Sequence, residues 1–333
     1  MPAHPTTTPE STGIYDVENW KSADFVGKLL LENAATAGAL FPDGKVPEKI
    51  ETLVMESLSG AGGNSGEMNR VIINGDCFAV LKTTKAAESS GGMSKALGLY
   101  REAMFYADNN FMERFENVSA DSLPKVFLSK FDLDSGRKCM LLEDLVKSNG
   151  GALKAVQSGY FFGDNSILNK GKDLAELTKD FEGVKEVDVT LKAFRIAAQL
   201  HGTFWGDEEL RTPDYGFLKG QLWFKGESED TWKTSVDYAK GLWEDAKATK
   251  INVTPKDGGE APLKFTPEVI KYVDDSFAAG FADYQEGIKH IPFTLVHGDF
   301  HPANFMTVKA PSSADGTALK VLDFEVIGLG SGP

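Results

Sequence analysis

The chain has 333 residues, 41% of them hydrophobic and 25% charged, with a formal net charge of −14. That length carries two domains or one bilobal unit with a sizeable buried core. The acidic balance argues against nucleic acid and against anionic membrane surfaces as partners, since either needs a basic patch. No apolar run is long enough to span a bilayer and no basic-then-apolar leader opens the chain, so a cytoplasmic protein is expected. Cys77 and Cys139 both fall inside expected strands and read as small buried hydrophobes, not as a disulfide or a metal site.

Residues 1–15 form a loose tail, rich in Pro and Thr at its start. Asp16 to Leu40 is expected to be a helix, with Trp20, Phe25, Leu29, Leu30 and Ala34 at helical spacing and Ser22 or Asp24 as its cap. From Glu51 the period shortens to two. Thr52 to Leu58 reads as a strand that enters the glycine-rich stretch Ser59 to Gly66. Val71 to Ile73, an Asn74-Gly75 pair and Cys77 to Lys82 follow. Asn-Gly between two β-runs predicts a tight hairpin, because both central positions of a type I′ turn need positive φ.

The glycine-rich loop is not a Walker A loop, since no Gly-Lys-Ser/Thr follows it and a hairpin comes next in place of a helix. Between antiparallel strands, backbone N–H groups of Gly60, Gly62, Gly63, Asn64, Ser65 and Gly66 can close over phosphates while Lys82 reaches them from below. The two-residue period puts Phe78, Val80 and Lys82 on one face, with Val80 on the adenine side of the cleft.

A helix is expected from Met93 to Phe111, packing through Ala96, Leu97, Tyr100, Met104, Ala107 and Phe111. Glu102, just off that stripe, is the candidate partner of Lys82, and Glu88 is its rival. Phe127 to Phe131 and Lys138 to Leu142 are expected strands. The second runs through Glu143, Asp144 and Leu145 into a polar, glycine-containing stretch, which reads as a hinge whose backbone would bond an adenine edge.

Beyond the hinge the chain turns mainly helical. Val187 to Trp205 is the clearest helix, started by Asp188 or Thr190, with Leu191, Phe194, Ala197, Ala198, Leu200 and His201 inward. Trp205, Trp223, Trp232 and Trp243 read as core packing in preference to an aromatic box for a cation. Lys247 to Leu263 is a polar excursion, and Thr266-Pro267-Glu268 opens a helix with cap, proline and early acid in order.

Two motifs at expected strand ends carry the chemistry. His297-Gly298-Asp299-Phe300-His301-Pro302-Ala303-Asn304 offers a carboxylate and, five positions on, a carboxamide; Asp323-Phe324-Glu325 offers a further carboxylate. Phosphoryl transfer from a nucleotide uses that set, with one carboxylate beside the attacking hydroxyl and a carboxamide and carboxylate holding Mg²⁺ against the phosphates.

With the glycine-rich loop, Lys82, Glu102, the hinge, His297-x-Asp299-x-x-x-x-Asn304 and Asp323 in that order, the chain resembles the aminoglycoside phosphotransferase and choline kinase superfamily of protein-kinase-like folds. Glu143-Asp144-Leu145, Arg101-Glu102-x-x-Phe105-Tyr106 and Leu200-His201-x-x-Phe204-Trp205 look most like its ecdysteroid-kinase-like (CHK kinase-like) branch. The resemblance implies a bilobal α+β fold. Residues 16–146 would form an N-terminal helix and a small antiparallel β lobe with one helix and the hinge, and residues 147–333 a mainly helical lobe with the catalytic loop and metal-binding aspartate.

It implies ATP and Mg²⁺ as cofactors, and a small-molecule alcohol as acceptor. Asp299 would orient the hydroxyl and accept its proton, Asn304 and Asp323 would hold Mg²⁺, and Lys82, fixed by Glu102, would bind the α- and β-phosphates. His297 would brace the loop, and His301 and Pro302 would be structural. No arginine precedes Asp299, no glycine ends Asp323-Phe324-Glu325 and no Ala-Pro-Glu follows, so a protein substrate is disfavoured. Family members continue into further helices, so a chain stopping at Pro333 implies either a product truncated at its C-terminal end or an incomplete gene model.

Two other readings compete. One is a nucleotide-binding pseudokinase that turns nothing over. The other takes His297-x-Asp299-x-His301 as metallohydrolase ligands on one strand face, but with five histidines in the chain, one of them His4 in the tail, few further ligands remain.

Overall fold

The computed structural model describes residues 13–58, 66–84, 95, 98–108, 111–115, 122–147, 155–165, 169–253, 263–311, 313 and 315–331. Most of the tail, Gly60 to Ser65, Glu88, Ser148 to Gly151 and much of the expected helix Met93 to Phe111 lie outside the described residues. The chain divides into two compact units, residues 1–204 with 296–327, and residues 205–295 with 328–333.

The first unit has the expected α+β character. Its main sheet has five strands in the order β1 (Leu53–Ser57), β2 (Gly66–Ile73), β3 (Cys77–Thr84), β5 (Arg137–Glu143), β4 (Val126–Asp132), and every neighbouring pair is antiparallel. The β2–β3 turn forms as its chemistry dictates, with Asn74 at φ 53° and Gly75 at φ 81°. The Asn74 side chain also accepts the backbone N–H groups of Glu51 and Thr52, which fixes where β1 begins.

One face of this sheet is covered by the segment before it. Trp20, Val26, Leu30 and Leu40 pack with Val71, Ile73, Ala79, Leu81, Phe127, Cys139 and Leu141 in one buried cluster. Strand alternation therefore sends Val80 and Lys82 of β3, and Lys138, Met140 and Leu142 of β5, to the opposite face. Cys77 and Cys139 are free and buried, as expected.

The single helix expected over Asp16 to Leu40 is instead several short pieces: a 3-10 turn (Val17–Lys21), α1 (Ala23–Glu32), α2 (Ala34–Ala37) and a second 3-10 turn (Gly38–Leu40). Ser22 has extended backbone and caps α1 by accepting the Phe25 N–H, so it separates two elements. Asn33 interrupts at the other end, its amide donating back to the Leu29 carbonyl. Short polar side chains that bond the local backbone break helices in this way.

The other pieces of this unit are α3 (Arg101–Ala107), α4 (Leu174–Thr178), α5 (Glu186–Thr203) and a three-stranded sheet of β6 (Ala155–Gln157), β8 (Phe305–Lys309) and β9 (Thr317–Val321). Helix α3 ends at Ala107 because Asp108 is extended and its carboxylate takes the Phe111 N–H.

On α5 the expected inward face holds at Leu200 and fails at Leu191, Phe194 and Ala198. Val189, Ala193, Ile196 and Leu200 are buried, while Leu191 and Phe194 are 53% and 70% exposed. Val187, Leu191, Phe194 and Ala198 make a second apolar stripe at the same helical spacing. Periodicity alone does not choose between two such stripes.

In the second unit are α6 (Gln221–Phe224), α7 (Glu229–Thr249), α8 (Pro267–Ala278), α9 (Phe281–Ile288) and a two-stranded sheet of β7 (Phe293–Val296) with β10 (Gly328–Ser331). Helix α8 starts as read, with Thr266 accepting the Val269 N–H and Pro267 at the first position. Trp232 packs with Phe281 and Tyr284, Trp243 stacks on Phe265, and Trp205 is 47% exposed. No helix among the described residues is long and apolar enough to cross a membrane.

Candidate active site

The residues singled out on β3, α3 and the loops around β8 and β9 converge within the first unit. Lys82 and Glu102 are both buried, and the Lys82 ammonium lies 2.7 Å from a Glu102 carboxylate oxygen, 2.7 Å from Asp323 Oδ1 and 3.2 Å from Glu325 Oε1. Of the two candidate partners, Glu102 is therefore the one seen on Lys82. A second buried ammonium, Lys138 on β5, donates to the same Glu102 oxygen at 2.7 Å and makes a short bond to Glu325. Three carboxylates thus face two ammoniums.

This packing sets the protonation states. Burial works against the charge on Lys82, but the Glu102, Glu325 and Asp323 carboxylates outweigh it and push its pKa well up. Burial would likewise raise Glu102, yet Lys138 and Lys82 hold it down at about 2. Burial also opposes the charge on Glu325, and the same two lysines keep its pKa below the ordinary value. Asp323 goes the other way: burial, with Glu102 and Glu325 adding to it, outweighs Lys82 and raises its carboxyl.

The loop that bears Asp299 is ordered by the histidine that opens it. His297 is buried, and its Nε2 lies 2.9 Å from the Leu322 carbonyl. A carbonyl only accepts, so Nε2 carries the proton and Nδ1 is left to accept the Asp299 backbone N–H at 3.3 Å. Burial depresses the imidazole pKa despite the Leu322 bond and the Asp299 charge, which suits this neutral tautomer. Both ring nitrogens are occupied, so the metallohydrolase reading loses its first ligand. The residue after it, Gly298, has φ 85°, and a Cβ there would meet the Val326 carbonyl oxygen at 2.4 Å. An arginine has no room at that position.

Asp299 keeps a half-exposed carboxylate. Asn304 Nδ2 donates to its Oδ2 at 3.0 Å and to its backbone carbonyl at 2.9 Å, and His301 Nε2 lies 3.4 Å from the same Oδ2. The Asn304 carbonyl in turn accepts the Leu322 N–H at 2.9 Å, tying this loop to the one that bears Asp323. Asp323 itself sits at φ 69°, ψ 59°, a left-handed conformation that Asp tolerates better than most residues. Its neighbour Phe324 is fully buried, stacked on Phe105 of α3 at 4.4 Å and against His297 at 4.5 Å. The loop bearing Asp323, helix α3 and the loop that His297 opens therefore meet at one aromatic contact.

The remaining nucleotide-site candidates are placed as follows. Gly66 lies over the lysine, its virtual Cβ 3.8 Å from Lys82 Cε, and Val80 is buried on the lysine's side of the sheet. Gly60, Gly62, Gly63, Asn64 and Ser65 are outside the described residues.

Glu143 and Asp144, read in the sequence for their backbone, also bond through their side chains. Asp144 is buried and accepts the Val146 and Lys147 N–H groups at 2.9 Å each, and Arg70 of β2 donates to it at 2.5 Å. The Glu143 carboxylate accepts the Lys125 N–H, and its own N–H goes to the Lys125 carbonyl, so that N–H is not open to a base. Lys138, Glu325 and Arg70 went unassigned in the sequence. The signal for Lys138 was a lysine opening the apolar run Cys139 to Leu142, on the face that alternation shares with Lys82.

A cation would find oxygen donors here. Glu102, Asp323 and Glu325 have ligand atoms all within 4.8 Å of one another, and such hard oxygen donors suit Mg²⁺.

No protein-family model matches the sequence, and no curated protein matches it. Among solved structures, one that aligns is described as "Structure of the GDP and kanamycin complex of APH(2")-IIia", an aminoglycoside phosphotransferase. It is 14% identical, over 90% of this chain and 73% of that one, with a TM-score of 0.36. At that distance function has to be argued from this chain's own side chains.

Proposed function

We propose that the protein is an ATP- and Mg²⁺-dependent phosphotransferase acting on a hydroxyl group of a small molecule. The observation that carries this reading is the pair of 2.7 Å contacts from one buried lysine to Glu102 and to Asp323, in the same compact unit as an Asp299 carboxylate held by Asn304.

In this reading Lys82, kept charged and aimed by Glu102, binds the α- and β-phosphates, with Gly66 beside it. Asp323 and Asn304 would hold the metal, which would supply neutralising charge for the transferring phosphoryl group. The half-exposed Asp299 carboxylate orients the acceptor hydroxyl and takes its proton, and the neutral His297 imidazole keeps the loop at its distance. Rate enhancement comes mainly from positioning and fixed charge. The finer placement in the ecdysteroid-kinase-like branch rests on the three short motifs quoted above.

Thermal-shift titration with Mg²⁺ and ATP or GTP, followed by an ADP- or GDP-release screen over aminoglycosides, choline analogues, sterols and sugars, tests the reading. Nucleotide binding plus alcohol-dependent turnover that disappears in Asp299→Asn supports it. Binding without turnover across a broad panel favours the pseudokinase reading, and no binding removes both.

A further inference from the structure

Lys138 duplicates two of the three partners of Lys82. Both ammoniums share one oxygen of Glu102, and both approach Glu325 Oε1, whereas among these five side chains Asp323 pairs with Lys82 alone. The sheet explains how. Lys82 stands opposite Met140, two residues from Lys138, so the lysines are diagonal neighbours on one face. The Lys138 backbone is fixed by its N–H donating to the Thr84 hydroxyl at 3.0 Å, and its side chain is 2% exposed.

A phosphate-binding lysine has to leave a carboxylate when its ligand arrives. If Lys82 were the only cation here, turning toward a phosphate would strip charge from three carboxylates at once, and buried carboxylates without a partner are strongly disfavoured. With Lys138 in place, Glu102 and Glu325 stay neutralised, and Lys82 can give up Asp323 without abandoning them.

We propose that Lys138 is a positioning residue for nucleotide binding: it holds Glu102 and Glu325 so that Lys82 can exchange Asp323 for a phosphate and Asp323 can take the metal. The inference rests on the kinase reading for its ligand, but its charge logic concerns this chain's own residues. Without Lys138, three carboxylates share one ammonium. They grip Lys82 harder and attract a free divalent cation more strongly. Nucleotide affinity and bare-metal affinity then move in opposite directions, which generic loosening of the fold would not produce.

The experiment measures two affinities, for Mg²⁺–ATP by calorimetry and for Mn²⁺ alone by electron paramagnetic resonance, with the melting temperature of each variant as the check on folding. It uses the full chain, Lys138→Met and the double variant Lys138→Met with Glu325→Gln. For Lys138→Met, roughly tenfold weaker nucleotide binding and roughly tenfold tighter Mn²⁺ binding are expected, the order for one unscreened charge at high effective dielectric. The double variant removes one carboxylate with the ammonium, so both affinities should return to within about threefold of the original.

Unchanged nucleotide affinity in Lys138→Met, a fall in both affinities together, or a double variant no better than the single one overturns the proposal. Should Lys138→Met fail to fold, a folded double variant with nucleotide binding tenfold below the original overturns it equally. If the unaltered chain binds no nucleotide, the kinase reading fails, and the Mn²⁺ comparison still decides whether Lys138 balances the cluster.

Discussion

Lys82 and Asp323 lie 241 positions apart in the chain and meet at 2.7 Å, through a side chain with only 9% exposure on the lysine. Nothing local holds them together. The contact depends on the β2–β3 hairpin presenting Lys82 to one face of the sheet and on His297 and Phe105 holding the loop that carries Asp323 and Phe324. Lys82→Met is expected to abolish nucleotide binding and to cost about 3 kcal/mol, near the lower end for breaking a buried pair, because Lys138 still serves Glu102 and Glu325. Urea unfolding gives the stability term and nucleotide titration the binding term; a variant that bound nucleotide normally would remove Lys82 from the site.

Asp323→Asn should separate activity from stability. Its carboxyl is raised by burial, with Glu102 and Glu325 adding to that, so the ionised form opposes folding. A carboxyl raised on folding contributes stability below its unfolded value and loses it as pH rises through the folded one. At neutral pH the charge is therefore a cost. Asn accepts the left-handed backbone there as well as Asp does. The expected variant is inactive yet melts about 2 °C higher at pH 7. A scan at pH 7 and another at pH 3.5, where the gain should shrink, check both the effect and its sign.

Gly298 and Gly75 make a controlled pair. Both have positive φ, 85° and 81°, but a Cβ on Gly75 meets nothing within 4 Å while one on Gly298 runs into the Val326 carbonyl. Gly75→Ala should cost about 1 kcal/mol, the left-handed penalty alone. Gly298→Ala should cost roughly 2–4 kcal/mol and push Asp299 away from Asn304, since backbone must move. Equal denaturation midpoints for the two variants would show that the approach to Val326 is not constraining.

What could be read from the chain followed the range of the physics. The Asn74-Gly75 turn, the strand-borne lysine and the Thr266 cap depend on chemistry within a few residues, and each forms as expected. The two apolar stripes of α5 are equally helical, and what covers one of them is decided by distant segments such as β9, where Lys192 bonds the Thr317 carbonyl. For Lys138, alternation gives the face of the sheet, but its partner Glu325 lies 187 positions away and is not given by local pattern. The side-chain bonds of Asp144 are not local either, since its partner Arg70 sits 74 positions earlier, on β2.

Acid sensitivity should appear in two stages. The depressed pKa of His297 means that the imidazole is neutral in the fold, so its contribution is complete above 6.5 and declines as pH falls below that value. Glu102, held down at about 2 against an ordinary 4.5, keeps its full contribution above 4.5 and loses it between there and about 2. Stability measured by urea unfolding from pH 8 to pH 3 should show a shallow decline and then a steep one. In His297→Gln the first stage should flatten while the second survives. A decline above pH 5 that the substitution leaves unaltered would mean that His297 is not linked to folding, and no steep loss below 4.5 would mean the same of Glu102.

The last expectation concerns the exit from β5. Asp144 accepts two turn N–H groups and the Arg70 guanidinium while 2% exposed, so its removal takes one acceptor from three donors and leaves Arg70 with Glu56 as its ion-pair partner. Arg70 also reaches Glu56 on β1 at 3.3 Å, so Asp144 ties the exit from β5 to the paired strands β1 and β2. Asp144→Ala should cost about 3 kcal/mol and weaken nucleotide binding, because two walls of the site lose their common anchor. Asp144→Asn keeps the turn bonds and loses the charge, and should recover about half of that stability. Arg70→Met, which leaves the turn bonds and removes the tie, should weaken nucleotide binding with less effect on the fold. If Arg70→Met binds nucleotide as tightly as the original, the tie is structural only, and Asp144 matters to the turn and not to the site.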